Sequence, residues 1–460
     1  MKKWLIRILL GIVTLLLLAL LYVLLTFPTV MAGMVSKTVC SCVFVTGRTV
    51  ESVKEKELQV FPGLSSAGID VNNQDSTVTA SILWKSSKAI FRKGLGCTLL
   101  SERSETEVRN QKISIASSPI NTDSIAWPTG NMVSDTIIPG VNYDAVKQAI
   151  ENAFVDIDSK KPVYTHGVVV VYNGQLIGEK YADGFNQHSR LMGWSMTKSI
   201  TNALVGLMVK DGKLNVEAPA PVAEWQHDER KEITLNNLLQ ASSGLKWSES
   251  YFIPTSDFHN MFIRSDDKAA YAASLPLKHK PGEFFQYSSG STNILSRIVR
   301  QAAGDNQYYR LPYERLFYKI GMTHAIIEPD ASGTFVGSSY SFATARDWAR
   351  FGLLYLNDGV WNGEQILPEG WVKYSSTPAP AAKKREYGAQ WWLNLGDPEN
   401  TTDVEYPGLP NESIMADGFE KQFIVIVPSK KLVVVRLGVT HNKNFSMANL
   451  VNDVIAALPK

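Results

Sequence analysis

Ser195 and Lys198 stand at the start of a stretch with helical spacing, Ser195-Met196-Thr197-Lys198. Three residues is nearly one helical turn, so hydroxyl and amine share a face. Such a pair can do nucleophilic chemistry: an amine partly desolvated beside a hydroxyl has a lowered pKa and can take its proton. The helix N-terminus also favours negative charge developing at Ser195. Alone, the pattern is weak, because a serine at a helix start is commonly just an N-cap. Two further elements strengthen it. Tyr287-Ser288-Ser289 follows a Pro281-Gly282 turn and precedes helical spacing from Thr292. A phenol held near Lys198 can shuttle a proton between Ser195 and a leaving group. Ala416-Asp417-Gly418-Phe419 leads toward an apolar strand at 423–427. A glycine beside a strand lets another backbone or a ligand come close. Taken singly, Tyr287 reads as an ordinary tyrosine and 416–419 as an ordinary turn.

Other chemistries lack their residues. There is no His-Glu-x-x-His, no cysteine pair at zinc-finger spacing, no phosphate-binding P-loop and no dinucleotide-binding glycine fingerprint. The seven histidines are scattered, none three or four residues from another, so no helical metal pair is expected. Gly193-Trp194-Ser195-Met196-Thr197 nearly spells a nucleophile elbow, but Thr197 stands where the second glycine belongs.

The elements that must position these residues follow from periodicity. Residues 143–154 have helical spacing; 168–172 and 175–181 flank Asn173-Gly174 and read as a hairpin. Residues 195–209 read as a helix stopped by Asp211-Gly212, with further helices at 235–240, 269–274, 292–303, 345–356 and 444–458. Strands are expected at 423–427 and 432–437. Strands at both ends with helices between predict an α/β (α+β) domain over 141–460, an antiparallel sheet with a helical insertion. Before it, 31–140 reads as a β-rich membrane-proximal segment, with period-two alternation at 76–84. Residues 114–124, including Pro119, read as a loop or linker.

Residues 1–30 differ again. Lys2, Lys3 and Arg7 precede an uncharged run ending at Phe27. Twenty helical residues rise about 30 Å, enough for the hydrocarbon core of a bilayer. The reading is one N-terminal transmembrane anchor, with the catalytic domain extracytoplasmic and periplasmic if the cell has an outer membrane. A cleaved signal sequence is the other possibility, with Val30-Met31-Ala32 as its best, weak, cleavage site. Without Lys2, Lys3 and Arg7, the 46 basic side chains fall to 43 against 44 acidic ones, so the formal +2 is a topology signal. Neither value suits a nucleic-acid binder. The 460 residues are 45% apolar, enough for packed cores. Cys97 could pair with Cys40 or Cys42 in an oxidising space, or all three could stay reduced. All three precede residue 141 and cannot supply a nucleophile to the domain over 141–460.

In order and spacing, the three boxes resemble the serine β-lactamase and penicillin-binding superfamily, with Ser195–Lys198 as its Ser-x-x-Lys box. Tyr287-Ser288-Ser289 is similar to its Tyr-x-Asn box, and Ala416-Asp417-Gly418 stands at its Lys-Thr-Gly box. The flanks at 233–245 and Gly388-Ala389-Gln390-Trp391-Trp392 are similar to class C β-lactamase-related hydrolases, including esterases and 6-aminohexanoate-dimer hydrolases. The resemblance implies a nucleophile at Ser195, with Lys198 and Tyr287 as proton-transfer groups. It also implies an oxyanion hole from the backbone N–H groups of Ser195 and Phe419, substrate contacts at Ser289, Asp417 and Gly418, and no metal or organic cofactor. The expected substrate is a small ester or amide; nothing indicates the oligomeric state. Three departures stand out. Ser289 replaces an asparagine. Ala416-Asp417 replaces Lys-Thr, and a carboxylate there repels the carboxylate of a β-lactam. Glu420 and Lys421 stand where relatives often carry glycines. The alternatives are a peptidoglycan-directed D-amino-peptidase or weak β-lactamase, and a membrane-tethered binding protein without turnover.

Overall fold

The computed structural model describes residues 2–115, 117–118, 120–400 and 402–459, with no account of the side chains of Lys2, Lys3, Ala19 and Leu20. Pro119 of the expected linker thus lies outside the described residues, as do the side chains of two of the three flanking cations. The chain divides into two compact units, one of Met1–Arg92, Cys97–Arg109 and Ser248–Asp266, the other holding the remainder.

The first unit is built on one helix, Lys2–Phe44. It does not stop where the apolar run ends. Leu9, Leu15, Leu16 and Leu25 are 61–68% exposed, whereas Ala32, Val35 and Val39 are fully buried. The first half therefore offers its side chains to its surroundings, and the second half is the core of a folded unit. Around that second half lies a four-stranded sheet in chain order: Gly68–Asn72, Thr77–Ile82, Lys85–Arg92 and Gly96–Leu100. Of the two pairings expected for Cys97, the structure has Cys40; Cys42 is buried outside the disulfide. A segment from far along the chain completes the unit. The Asp266 carboxylate accepts from the backbone N–H groups of Ser101 and Glu102, both at 3.0 Å, and from that of Arg103. Ile263 packs on Gly33, where a Cβ would meet its side chain at 2.5 Å.

The second unit carries the antiparallel sheet expected from the sequence. Its order is Trp392–Leu393, Ile414–Gly418, Gln422–Val427, Leu432–Gly438, Thr165–Tyr172 and Gln175–Tyr181. The first and last segments of the domain thus share one sheet, and most of the helices between them form its insertion. Val168, Val169, Val170 and Val171 are all fully buried, so both faces are covered. Val168 and Val170 pack with Val425, Val434 and residues of the helices Tyr143–Asn152 and Met447–Ala456. On the opposite face the helix Ala345–Leu356 lies close, because Gly352 has no Cβ to strike Val433 and Ile424. Burying each such valine contributes about 1.5–3 kcal/mol. In the insertion, the helix Thr197–Lys210 is buried on every side through its first twelve residues and packs against Ser289–Ala303.

Candidate active site

Ser195 does not cap a helix. It lies in a 3-10 turn, Trp194–Met196, that runs straight into Thr197–Lys210. Trp194, just before it, has φ +47°, a left-handed backbone that a bulky side chain rarely adopts. Surrounding contacts hold the turn there. Gly193 N donates to Ser341 O at 2.9 Å, and Thr197 Oγ1 donates to Trp194 O at 2.7 Å. Conformations of this kind persist only where the surroundings over-determine them, and they cluster at functional sites.

Lys198 is one turn further on and 2% exposed. Its Nζ donates to Ser195 Oγ at 3.1 Å, to Ser289 Oγ at 3.1 Å and to the Ser338 carbonyl at 3.0 Å. Ser289 is the first residue of the helix Ser289–Ala303, which Ser288 caps by accepting from Ser291 N at 3.0 Å. The shorter side chain at the asparagine position thus still reaches the amine. Gln390, from the second flanking motif, ties the helices together: Ser199 Oγ donates to its carbonyl, Thr292 Oγ1 to its side-chain oxygen, and its amide to Leu239 O.

The Tyr287 ring lies over the amine, with Nζ 4.7 Å from its centroid. The ring stacks on Trp392 at 5.2 Å and meets Tyr387 edge-on at 5.9 Å. Trp392 also meets Tyr406 at 6.1 Å. These rings form an apolar wall beside the reactive pair. Sequence reasoning missed Tyr406 and saw Trp392 only as part of a motif. Ser338 left no sequence signal, because it contributes a backbone carbonyl.

The third box forms the strand Ile414–Gly418. The end of that strand touches the Ser195 turn: a Cβ on Gly418 would lie 2.3 Å from Gly193 O. Phe419 follows directly, its ring edge-on to Trp194 at 5.7 Å. Glu420 and Lys421 both have φ +66°, the conformation in which glycine carries no penalty. The bulkier residues thus keep a glycine-like backbone, and other contacts hold it. Trp194 Nε1 donates to Glu420 Oε2 at 3.1 Å, while His441 Nδ1 lies 3.5 Å from Oε1. Fully buried Arg436 donates to the carbonyls of Glu420 at 3.2 Å and Lys421 at 3.0 Å. Its burial pushes its pKa down to about 9, opposed by the Glu420 charge.

Asp417 is half-buried in this strand and accepts from Tyr406 OH at 2.7 Å. Desolvation raises its carboxyl to about 6, against the hydrogen bond from Tyr406 and the charge of Lys421. Tyr406 is itself pushed well above its ordinary value, by burial first and then by Asp417. Among the described residues no group of three or more histidine, cysteine, aspartate or glutamate side chains could hold a metal ion. The structure thus gathers Ser195, Lys198, Ser289 and the Tyr287 ring, and sets the Gly418 backbone against the turn that carries Ser195.

Relatives carry the same architecture. The 6-aminohexanoate-dimer hydrolase of Paenarthrobacter ureafaciens is 23% identical over 296 residues, 58% of this chain and 72% of that protein. A solved Bacillus anthracis protein assigned as a 6-aminohexanoate-dimer hydrolase superposes with TM-score 0.57 at 22% identity, covering 76% of this chain and 92% of that one. A family VIII carboxylesterase superposes with TM-score 0.52 at 14% identity, over 71% of this chain and all of its own. The Beta-lactamase family profile matches residues 152–456, about two-thirds of the chain. The chain is a serine hydrolase and belongs to the beta-lactamase family.

Proposed function

We propose that this hydrolase cleaves a small ester or linear amide through an acyl-enzyme on Ser195. The observation that carries the reading is the 3.1 Å hydrogen bond between Lys198 Nζ and Ser195 Oγ, with the amine buried. Lys198, as the neutral amine, takes the hydroxyl proton while Oγ attacks the substrate carbonyl. Tyr287 relays that proton from Lys198 to the departing alcohol or amine as the carbon–oxygen or carbon–nitrogen bond breaks. The negative charge on the carbonyl oxygen meets the backbone N–H groups of Ser195 and Phe419, fixed by the contact at Gly418. Water then attacks the acyl-enzyme and the proton path runs in reverse. Ser289 orients Lys198, and the wall of Tyr287, Trp392 and Tyr406 receives an apolar part of the substrate.

Asp417 favours a neutral or cationic group at the cleft edge and disfavours a carboxylate. This supports ester and amide cleavage over β-lactam or peptidoglycan-peptide cleavage. The likeness to a 6-aminohexanoate-dimer hydrolase and a carboxylesterase supports the same choice. The helix Lys2–Phe44 anchors the enzyme, the positive flank staying in the cytoplasm and the catalytic domain facing outward. A fluorophosphonate probe tests the reading. Labelling at Ser195 and turnover of p-nitrophenyl esters or short amides over a chromogenic cephalosporin are expected. Absence of labelling on the wild-type protein would sink it and leave a binding protein of the same fold.

A further inference from the structure

The first unit holds an apolar cavity of about 240 Å³, bounded by the helix at Phe27, Val30, Met31 and Met34, by Leu64, and by the loop at Phe252. That loop bears large apolar side chains on its surface, with Phe252 77% and Ile253 50% exposed. Its height along the helix is fixed by a hydrogen bond of 2.8 Å between Thr255 Oγ1 and Tyr22 OH. Tyr22 lies five residues inside the apolar run that ends at Phe27, about 7–8 Å along the axis. The loop tip is therefore level with helix residues that themselves expose apolar side chains, Leu21 at 51% and Leu25 at 61%. A cation stands beside it. Arg264 donates to Pro254 O at 2.7 Å and to Thr26 O at 3.3 Å, at the height where an apolar span gives way to a polar headgroup layer.

We propose that this loop and cavity form a lipid-binding site: Phe252 and Ile253 insert among the acyl chains of the outer leaflet. One phospholipid acyl chain enters the cavity, with its phosphate near Arg264. The occupant follows from continuity, because the cavity is bounded by helix residues next to the exposed apolar stretch that the anchor reading puts in a bilayer. The inference rests on the reading of Lys2–Phe44 as an anchor. It adds a second contact, of interfacial depth, to that of the helix. His259, in the cavity wall, is pushed down in pKa by burial, and its Nε2 lies 2.9 Å from the Tyr251 carbonyl. A neutral ring suits an apolar site.

The test uses the full chain in phospholipid vesicles, with an environment-sensitive fluorophore on an introduced cysteine and doxyl quenchers both near the headgroup end of the acyl chains, at the depth of the loop, and near their far end, at the depth of Leu17. Leu17→Cys reports the anchor, Phe252→Cys the loop, and Ile157→Cys, 79% exposed in the other unit, is the aqueous reference. A blue-shifted, lipid-quenched signal at 252, as at 17 and unlike 157, is the expected result. Quenching at 17 but not at 252 would overturn the lipid site and leave the anchor standing. No quenching at 17 would remove the anchor and the lipid site together. A shift at 252 that depends on protein concentration and not on quencher would assign the patch to a second copy and overturn the proposal. For the cavity, a phospholipid with a terminal diazirine is expected to cross-link to Met31 or Met34, and Met34→Trp, which fills the space, to lose the adduct. Adducts confined to residues before Tyr22 would overturn acyl-chain entry.

Discussion

Gly418→Ala adds one methyl group where the strand Ile414–Gly418 meets the Ser195 turn. Gly418 has φ −119°, so alanine fits its backbone, and the glycine is needed for the space alone. The added Cβ would stand 2.3 Å from Gly193 O and 3.1 Å from Gln422 Cβ. Non-bonded contacts to carbon settle near 3.5 Å, so the two segments must part by about 1 Å. The Ser195 turn cannot retreat: Gly193 N is bonded to Ser341 O, and a Cβ at Gly193 would already strike the Trp348 ring at 2.4 Å. The strand moves instead and carries with it the Phe419 N–H, the proposed oxyanion donor. Losing one such donor costs about 3 kcal/mol, a fall in kcat of about 10²–10³-fold with KM little changed. The assay is steady-state hydrolysis of a p-nitrophenyl ester, with thermal unfolding as the fold check. Gly68→Ala is the control, because its Cβ would sit 3.8 Å from Ser81 O. A kcat within about fivefold of wild type, with unchanged melting, would refute the oxyanion role of Phe419.

Three further outcomes are expected. Lys198→Ala should slow fluorophosphonate labelling of Ser195 by about 10²-fold or more, and labelling at the wild-type rate would remove Lys198 as base. Asp417 has a pKa of about 6 in the fold, above its ordinary value, so its ionisation opposes folding as pH rises from about 4 to 6. Asp417→Asn, which can still accept from Tyr406, should therefore gain stability over wild type across that window, reaching up to about 3 kcal/mol at pH 8. Urea unfolding at pH 4.5 and 8 checks this, and an equal difference at both pH values would contradict it. Replacing Cys97 by alanine removes a cross-link spanning 57 residues, a loss of about 4 kcal/mol in the chain-entropy account. The loss should fall on the first unit and leave kcat for the ester unchanged; a parallel fall in kcat would show that catalysis depends on that unit.

The site was legible where chemistry is local or repeats a known pattern. Ser195 and Lys198 meet because three residues make nearly a turn, which any reader of helical spacing can see. The approach of Tyr287 and Ser289 to Lys198, and of Gly418 to the Ser195 turn, was expected only from resemblance, since nothing in their own neighbourhoods implies it. What stayed hidden depends on tertiary closure. The Ser338 carbonyl is a backbone atom, and the left-handed φ of Trp194, Glu420 and Lys421 contradicts local preference. Arg436 read as part of an apolar strand, yet its guanidinium serves the turn after Gly418. In the fold, the hairpin and the strands at 423–427 and 432–437 were read within three residues at each end, because alternation and turn chemistry are short-range. The first helix was cut short: the apolar run ends at Phe27, but burial against the sheet carries the helix to Phe44. Apolarity marks what faces lipid and is silent about how far a helix continues into a protein core.

The segment Ser248–Asp266 threads from the middle of the catalytic sequence back into the N-terminal unit. A protease that cuts one bond between 110 and 247 therefore severs the chain without freeing residues 248–460. The downstream fragment remains held by Asp266 on the backbone of Ser101, Glu102 and Arg103, and by Ile263 on Gly33. The strap works as a second tether, one that a nick in the peptide chain upstream of it does not break.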